Sequence, residues 1–236
     1  MAKANLPVNI QEQLAKEVQS IASRIAAPSG DRITINGGRG FTLPDGSAGE
    51  ELQVVIIDFL STNLYYDRPY NKDKPAPPAC FAIGEEPSML APSPNSPVRQ
   101  AESCSICPMN QFGTALSGSG KACKNTRLLA VVSLSDLEKD PEEANVLIMS
   151  VPPTSLKEFD RYVSKLATRF RTVPIGAVTT ITTDMNMTFA APRFEILRKL
   201  EDAEIAKAFS LKEEARKRLE SEPDVKDYEA PKPRGR

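Results

Sequence analysis

The chain has 236 residues, 40% hydrophobic and 26% charged, which suits a globular fold with a substantial core and excludes a largely disordered chain. Lys and Arg total 30 against 31 Asp and Glu, a formal charge of -1, so a uniformly basic nucleic-acid coat is excluded while local basic patches are not. Histidine is absent, which removes Ser-His-Asp and Cys-His catalysis, histidine general bases and every histidine-containing metal site.

In chain order, Ile10, Leu14, Val18, Ile21 and Ile25 fall on one face of a helix predicted over 9–26, with Asn9 and Glu12 as a capping box and Pro28-Ser29-Gly30 as its stop. Residues 32–60 read as β structure. Ile33 and Ile35 alternate with polar neighbours, Gly37-Gly38-Arg39-Gly40 and Pro44-Asp45-Gly46 are turns, and the apolar run Leu52 to Leu60 is a buried central strand. A Pro-rich stretch over 71–103 holds Cys80, and a Cys/Gly segment follows over 104–127. Residues 128–134 and 146–151 are two further buried strands, and 155–171 is a helix with Leu156, Phe159, Tyr162, Val163 and Leu166 inward. Residues 177–183 pair with a strand that starts at Thr188, and a charged helix runs from Glu201 to Glu220 before a frayed tail. This order predicts an α+β chain with five or six strands in a mostly antiparallel sheet or barrel, since strand and helix do not alternate as in a doubly wound fold.

All four cysteines lie between Cys80 and Cys123. Cys104-Ser-Ile-Cys107 is a CxxC, in which two thiolates on one tight turn can share a tetrahedral ion. With Cys80 and Cys123 brought in from the flanks, a four-thiolate zinc site uses every cysteine in the chain. An iron–sulfur cluster and free redox thiols are the alternatives. A filled four-cysteine site leaves no open position, so this zinc is expected to be structural, folding an insert too poor in apolar residues to fold alone. The string that ends in Gly120-Lys121 fails as a phosphate-binding loop, because Ala115 stands where its first glycine is needed and Ala122 where Ser or Thr is needed. From Cys104 to Arg127 there is no acid, while Lys121, Lys124 and Arg127 carry charge. Near-neutral net charge thus conceals a local positive region.

The strings Tyr65-Tyr66-Asp67-Arg68-Pro69-Tyr70, Pro77-Pro78-Ala79-Cys80-Phe81, Cys104-Ser-Ile-Cys107-Pro108-Met-Asn-Gln-Phe-Gly113, Gly120-Lys-Ala-Cys123-Lys-Asn-Thr-Arg127 and Val151-Pro-Pro-Thr-Ser-Leu156 carry a resemblance. Over roughly 50–200 the chain resembles zinc-containing bacteriophage-type single-stranded DNA-binding proteins. The resemblance implies an OB-like β-barrel with a zinc module inserted between strands: a DNA-binding domain over 1–200 including the N-terminal helix, the zinc module at 71–127, and a charged helix and tail over 201–236. One departure is the ending Pro231-Lys-Pro-Arg-Gly-Arg236, where proteins of this function often carry an acidic tail that recruits partners.

The residues fit that role. Sequence-tolerant single-strand binding needs cations for phosphates and exposed aromatics for bases. Tyr65, Tyr66, Tyr70 and Phe112 are the candidate stackers, Phe81 is expected to pack the insert, and Arg68, Lys121, Lys124 and Arg127 are the candidate phosphate contacts. Strand alternation sends Tyr65 and Tyr66 to opposite faces. The expectation is a non-enzymatic single-stranded DNA-binding protein of phage DNA replication or recombination, with replication proteins as further partners. The alternative is a zinc-stabilised interaction or regulatory module that binds a replication or transcription partner or duplex DNA. With no apolar run of 18 residues and no signal-peptide core, no membrane is expected, and the expected location is the cytoplasm, that of the host for a viral protein.

Overall fold

The computed structural model describes residues 30–69, 71, 75–115, 118–141 and 143–229, together with Ile10 and Gln13. Apart from those two residues, the helix expected over 9–26 lies outside the described residues, as does Tyr70.

Strand β4 (Glu51–Tyr65) is the axis of the sheet. β6 (Cys123–Ser133) runs antiparallel along most of it, from Val54 opposite Ser133 to Tyr65 opposite Cys123. The other edge of β4 is shared between two strands. β8 (Ala177–Thr183) pairs with Glu51 to Val55, and β5 (Cys80–Gly84) with Ser61 to Tyr65. Beyond β6 come β7 (Leu147–Val151), β1 (Arg32–Ile35), β2 (Phe41–Thr42) and β3 (Ala48–Gly49); beyond β8 comes β9 (Pro192–Lys199). β1 and β7 are parallel, and the other pairs among the described residues are antiparallel.

The sheet curls into a half-barrel, because the turn after β1 meets the loop after β8 although the two lie toward opposite ends of the strand order. The Gly38 amide donates to the Met187 carbonyl at 3.0 Å. The fold is therefore mixed α+β. No helix among the described residues is long and apolar enough to cross a membrane.

Both faces of the sheet are buried, which is why β4 and β6 read as nearly unbroken apolar runs. Leu52, Val54, Ile56, Leu129 and Val131 form one face, covered by helix α2 (Leu156–Lys165). There the fully buried Phe159 meets the rings of Phe59 and Phe194 edge-on at 5.1 and 5.2 Å between centroids. The buried Tyr162 hydroxyl is paired with Thr179 Oγ1 at 2.6 Å, so this polar tip carries no unpaired-group penalty. Val55, Ile57, Leu60, Leu128, Ala130 and Val132 form the other face. It is covered by α1 (Leu134–Leu137), α3 (Asp202–Ser210) and α4 (Lys212–Leu219), through Leu137, Ala208, Leu211, Ala215 and Leu219.

Several elements differ from the sequence expectation: the sheet has nine strands among the described residues, not five or six, β5 forms within the expected Pro-rich loop, and β6 begins at Cys123, not at residue 128. The helix expected over 155–171 is α-helical only to Lys165 and finishes in a wider π turn over Leu166–Phe170. The strand expected from Thr188 begins at Pro192, and Thr188 to Ala190 belong to the preceding loop. The charged C-terminal helix breaks at Leu211 and buries an apolar stripe that its charge density conceals.

One irregularity positions the candidate site. The register of β4 on β6 slips between Ile56 and Asp58. Such a bulge reverses the alternation beyond it. Phe59 consequently packs on the face that holds Ile56, while Leu60 joins the face of Ile57. Ser61, Asn63 and Tyr65 continue the Phe59 side, toward α2.

Candidate metal centre and nucleic-acid interface

Tyr65 is the register partner of Cys80 on β5 and of Cys123 on β6, so two cysteines far apart in sequence flank one residue of β4 on one face. The CxxC is brought to them by a Pro-stiffened turn. The Cys104 amide donates to the Leu90 carbonyl at 2.9 Å, and the Asn110 amide to the Cys107 carbonyl at 3.0 Å. Asn110 Nδ2 donates to the Cys104 carbonyl at 2.8 Å and closes the turn. All four cysteines are 6–7% exposed and free.

The four thiols share one electrostatic neighbourhood. Burial, followed by Cys104, Cys107 and Cys80, pushes the Cys123 thiol up to about 12, against the pull of Lys121. Burial also raises the Cys104 thiol; a hydrogen bond with Asn63 opposes it, and Cys80 and Cys107 add to it. Among the described residues no group of three or more His, Cys, Asp or Glu stands in metal-holding geometry. The four buried sulfurs are the donor type a soft cation would need, and Asn63 is hydrogen-bonded to one of them, Cys104.

Next to the cysteines, a cleft of about 490 Å³ opens between β4, β6, the CxxC turn and α2. Its floor is a connected polar network. Asn125 Nδ2 donates to Asn63 Oδ1 at 2.6 Å and to Asn110 Oδ1 at 3.0 Å. Lys121 Nζ donates to Asn125 Oδ1 at 3.1 Å and Asn110 Oδ1 at 3.3 Å. Those partners are neutral amides, and Lys121 has no ion pair among the described residues. At the far wall Arg127 donates to Ser61 Oγ, and its Nη2 meets Asp160 Oδ1 at 3.0 Å. Its Nε is buried without a partner, and its guanidinium lies 5.8 Å from the Phe59 ring centroid. At the rim, Phe112 is bridged to Lys121 across an isolated β pair and is 80% exposed, with Lys121 Nζ 5.2 Å from its ring centroid.

The sequence-predicted residues divide into groups. Lys121 and Arg127 line the cleft, and Phe112 stands beside Lys121. Tyr65 lies half-buried among the cysteines, and burial raises its hydroxyl. Tyr66 and Lys124 pair with each other, Nζ to ring centroid 5.8 Å, away from the cleft. Arg68 pairs with Asp67 at 3.3 Å and lies under the Tyr228 ring at 5.9 Å, held by the C-terminal segment. Phe81, 1% exposed, packs the interior as expected. Asn63, Asn110 and Asn125 were not singled out by sequence reasoning. Their only signal was polarity: Asn63 follows an apolar strand, and Asn125 sits between Lys124 and Arg127.

Asn63 joins the two features, touching Cys104 on one side and the Asn125–Lys121 network on the other. A metal held by the thiolates would fix Asn63 and, through it, the cation at the cleft floor. Compared with known proteins, the chain matches no family model, no curated protein and no solved structure.

Proposed function

We propose that this protein binds single-stranded DNA without sequence preference, in phage-type replication or recombination, and is a binding protein, not an enzyme. Cys80, Cys104, Cys107 and Cys123 would hold one structural zinc ion, and the curled sheet would serve as an OB-like barrel. The observation that carries this reading is the pairing of an exposed aromatic ring, Phe112, with a charged but unneutralised cation, Lys121, over an amide-lined floor. A ring accepts any base by stacking, an ammonium attracts any phosphate, and an amide can donate or accept as the base edge requires. Zinc supplies the stiffness that keeps the CxxC turn, and so Phe112 and Asn110, against the sheet.

Salt dependence tests the reading. Loss of one single-strand phosphate contact lowers the slope of log affinity against log salt by about 0.7. Lys121→Ala is expected to show that decrease with oligonucleotides of differing composition. Fluorescence anisotropy titrations at several salt concentrations measure it, and an unchanged slope would mean that the cleft does not face phosphate.

A further inference from the structure

A second opening, of about 700 Å³, lies between the turn after β1 and the loop that joins β8 to β9; Asn36, Arg39, Met185 and Met187 are part of its lining. The sequence Gly37-Gly38-Arg39-Gly40 makes it possible. A Cβ on Gly38 would stand 2.5 Å from the Asp184 carbonyl oxygen and 2.6 Å from that of Met187, so only glycine lets the two backbones approach this closely. The approach fixes the loop in place, and the loop presents apolar side chains to solvent. Met185 is 76%, Met187 39% and Phe189 49% exposed. The acid in this loop is already neutralised, since Asp184 pairs with Arg193 at 2.7 Å. Arg39, in contrast, has no ion pair among the described residues.

The two openings share no lining residue, but one hydrogen bond ties the segment before α2 to the loop of the second. The cleft ends at Leu156 and Asp160 on α2. Two residues before Leu156, Thr154 Oγ1 donates at 2.9 Å to the carbonyl of Ala190, which follows Phe189. The second region also offers an exposed aromatic, Phe189 on the loop, and an exposed cation without an ion pair among the described residues, Arg39 on the facing turn. We infer that the two are one track. A single strand held over Phe112 and Lys121 continues past the Thr154–Ala190 contact onto the 185–189 loop, where Phe189 and the methionines take bases and Arg39 takes a phosphate. This extension rests on the single-strand reading of the first cleft.

The experiment compares the wild type with the double variant Arg39→Ala, Phe189→Ala on two oligo-dT lengths, about 5 and about 20 nucleotides, which bracket the usual site size of a barrel of this kind. Fluorescence anisotropy gives the affinities, and the ratio of variant to wild type at each length cancels the larger number of registers on the longer strand. The expected result is unchanged affinity for the short strand, which also shows that the variant is folded, and a loss of about fivefold or more on the long one. Equal affinities of wild type and variant at both lengths, or an equal loss at both, would overturn the track and leave the first cleft as the binding site. Failure of the wild type to bind either length would overturn the single-strand reading, and the track with it.

Discussion

Replacing Cys104 with Ser is expected to abolish the proposed zinc site and release the segment between β5 and β6, while the sheet stays folded. Besides hydrogen bonds such as Ser93 N to the Phe81 carbonyl at 2.8 Å, that segment buries little apolar surface. Among its described residues the regular structure is two short 3-10 turns, Pro87–Met89 and Pro108–Asn110, and the isolated Phe112–Lys121 β pair, and its apolar cluster is Leu90 and Cys104 against Ala82 of β5. A structural zinc with four good ligands contributes roughly 10–16 kcal/mol to folding around it, far more than that cluster can. The sheet is independent of it, because Val55, Ile56, Leu129 and Val131 are wholly buried between two helix-covered faces. Metal analysis should give one zinc per wild-type chain and close to none in the variant. Limited proteolysis should cut the variant between Gly84 and Cys123, and circular dichroism should retain the strand signature. A variant that keeps a full equivalent of zinc would remove Cys104 from the ligand set.

The second large effect is expected at Phe112. Phe112→Ala should weaken single-strand binding by about 1–3 kcal/mol, a factor of roughly 5–150, because one base loses its stacking partner. The salt slope should not move, since stacking releases no counterions. Thermal stability should also hold, because a ring that is 80% exposed buries little apolar surface. Anisotropy titrations at two salt concentrations, with a thermal melt of the same sample, check all three. A variant that binds like the wild type would show that the ring does not contact DNA. The contrast with Tyr65 is instructive. Alternation correctly separates Tyr65 from Tyr66, but the face it assigns to Tyr65 is the cysteine cluster, where the ring is half-buried and serves packing first.

The strands β4, β6, β7 and β8 were legible because a sheet buried on both faces leaves continuous β-branched runs such as Val54-Val55-Ile56-Ile57 and Val131-Val132. The confinement of all four cysteines to one stretch pointed to a shared site, and the structure shows four free, buried thiols, with no group of three or more in metal-holding geometry among the described residues. The cleft floor was not legible. Unbroken alternation from Val54 would send Asn63 to the side of Val55, beneath the C-terminal helices. The bulge between Ile56 and Asp58 turns it instead toward Asn125, Lys121 and α2. Nothing in the local sequence marks that bulge; the nearest trace is Asp58, a charge within an apolar run, which meets Arg216 of α4 at 3.8 Å. The C-terminal helices were concealed in another way. Ala208, Leu211, Ala215 and Leu219 recur at helical spacing, but they are small or widely separated among Lys, Glu and Arg.

The central claim, that the cleft beside the cysteines takes unpaired bases, is tested most directly by competition. A labelled single strand bound to the wild-type protein is challenged with an unlabelled single strand and, separately, with duplex of the same sequence at the same salt. Bases paired in a duplex have no free face for Phe112, so duplex forfeits at least one stack and should compete about 5–150 times less well than the single strand. Equal competition by duplex, or no binding of the labelled strand at all, would contradict the account.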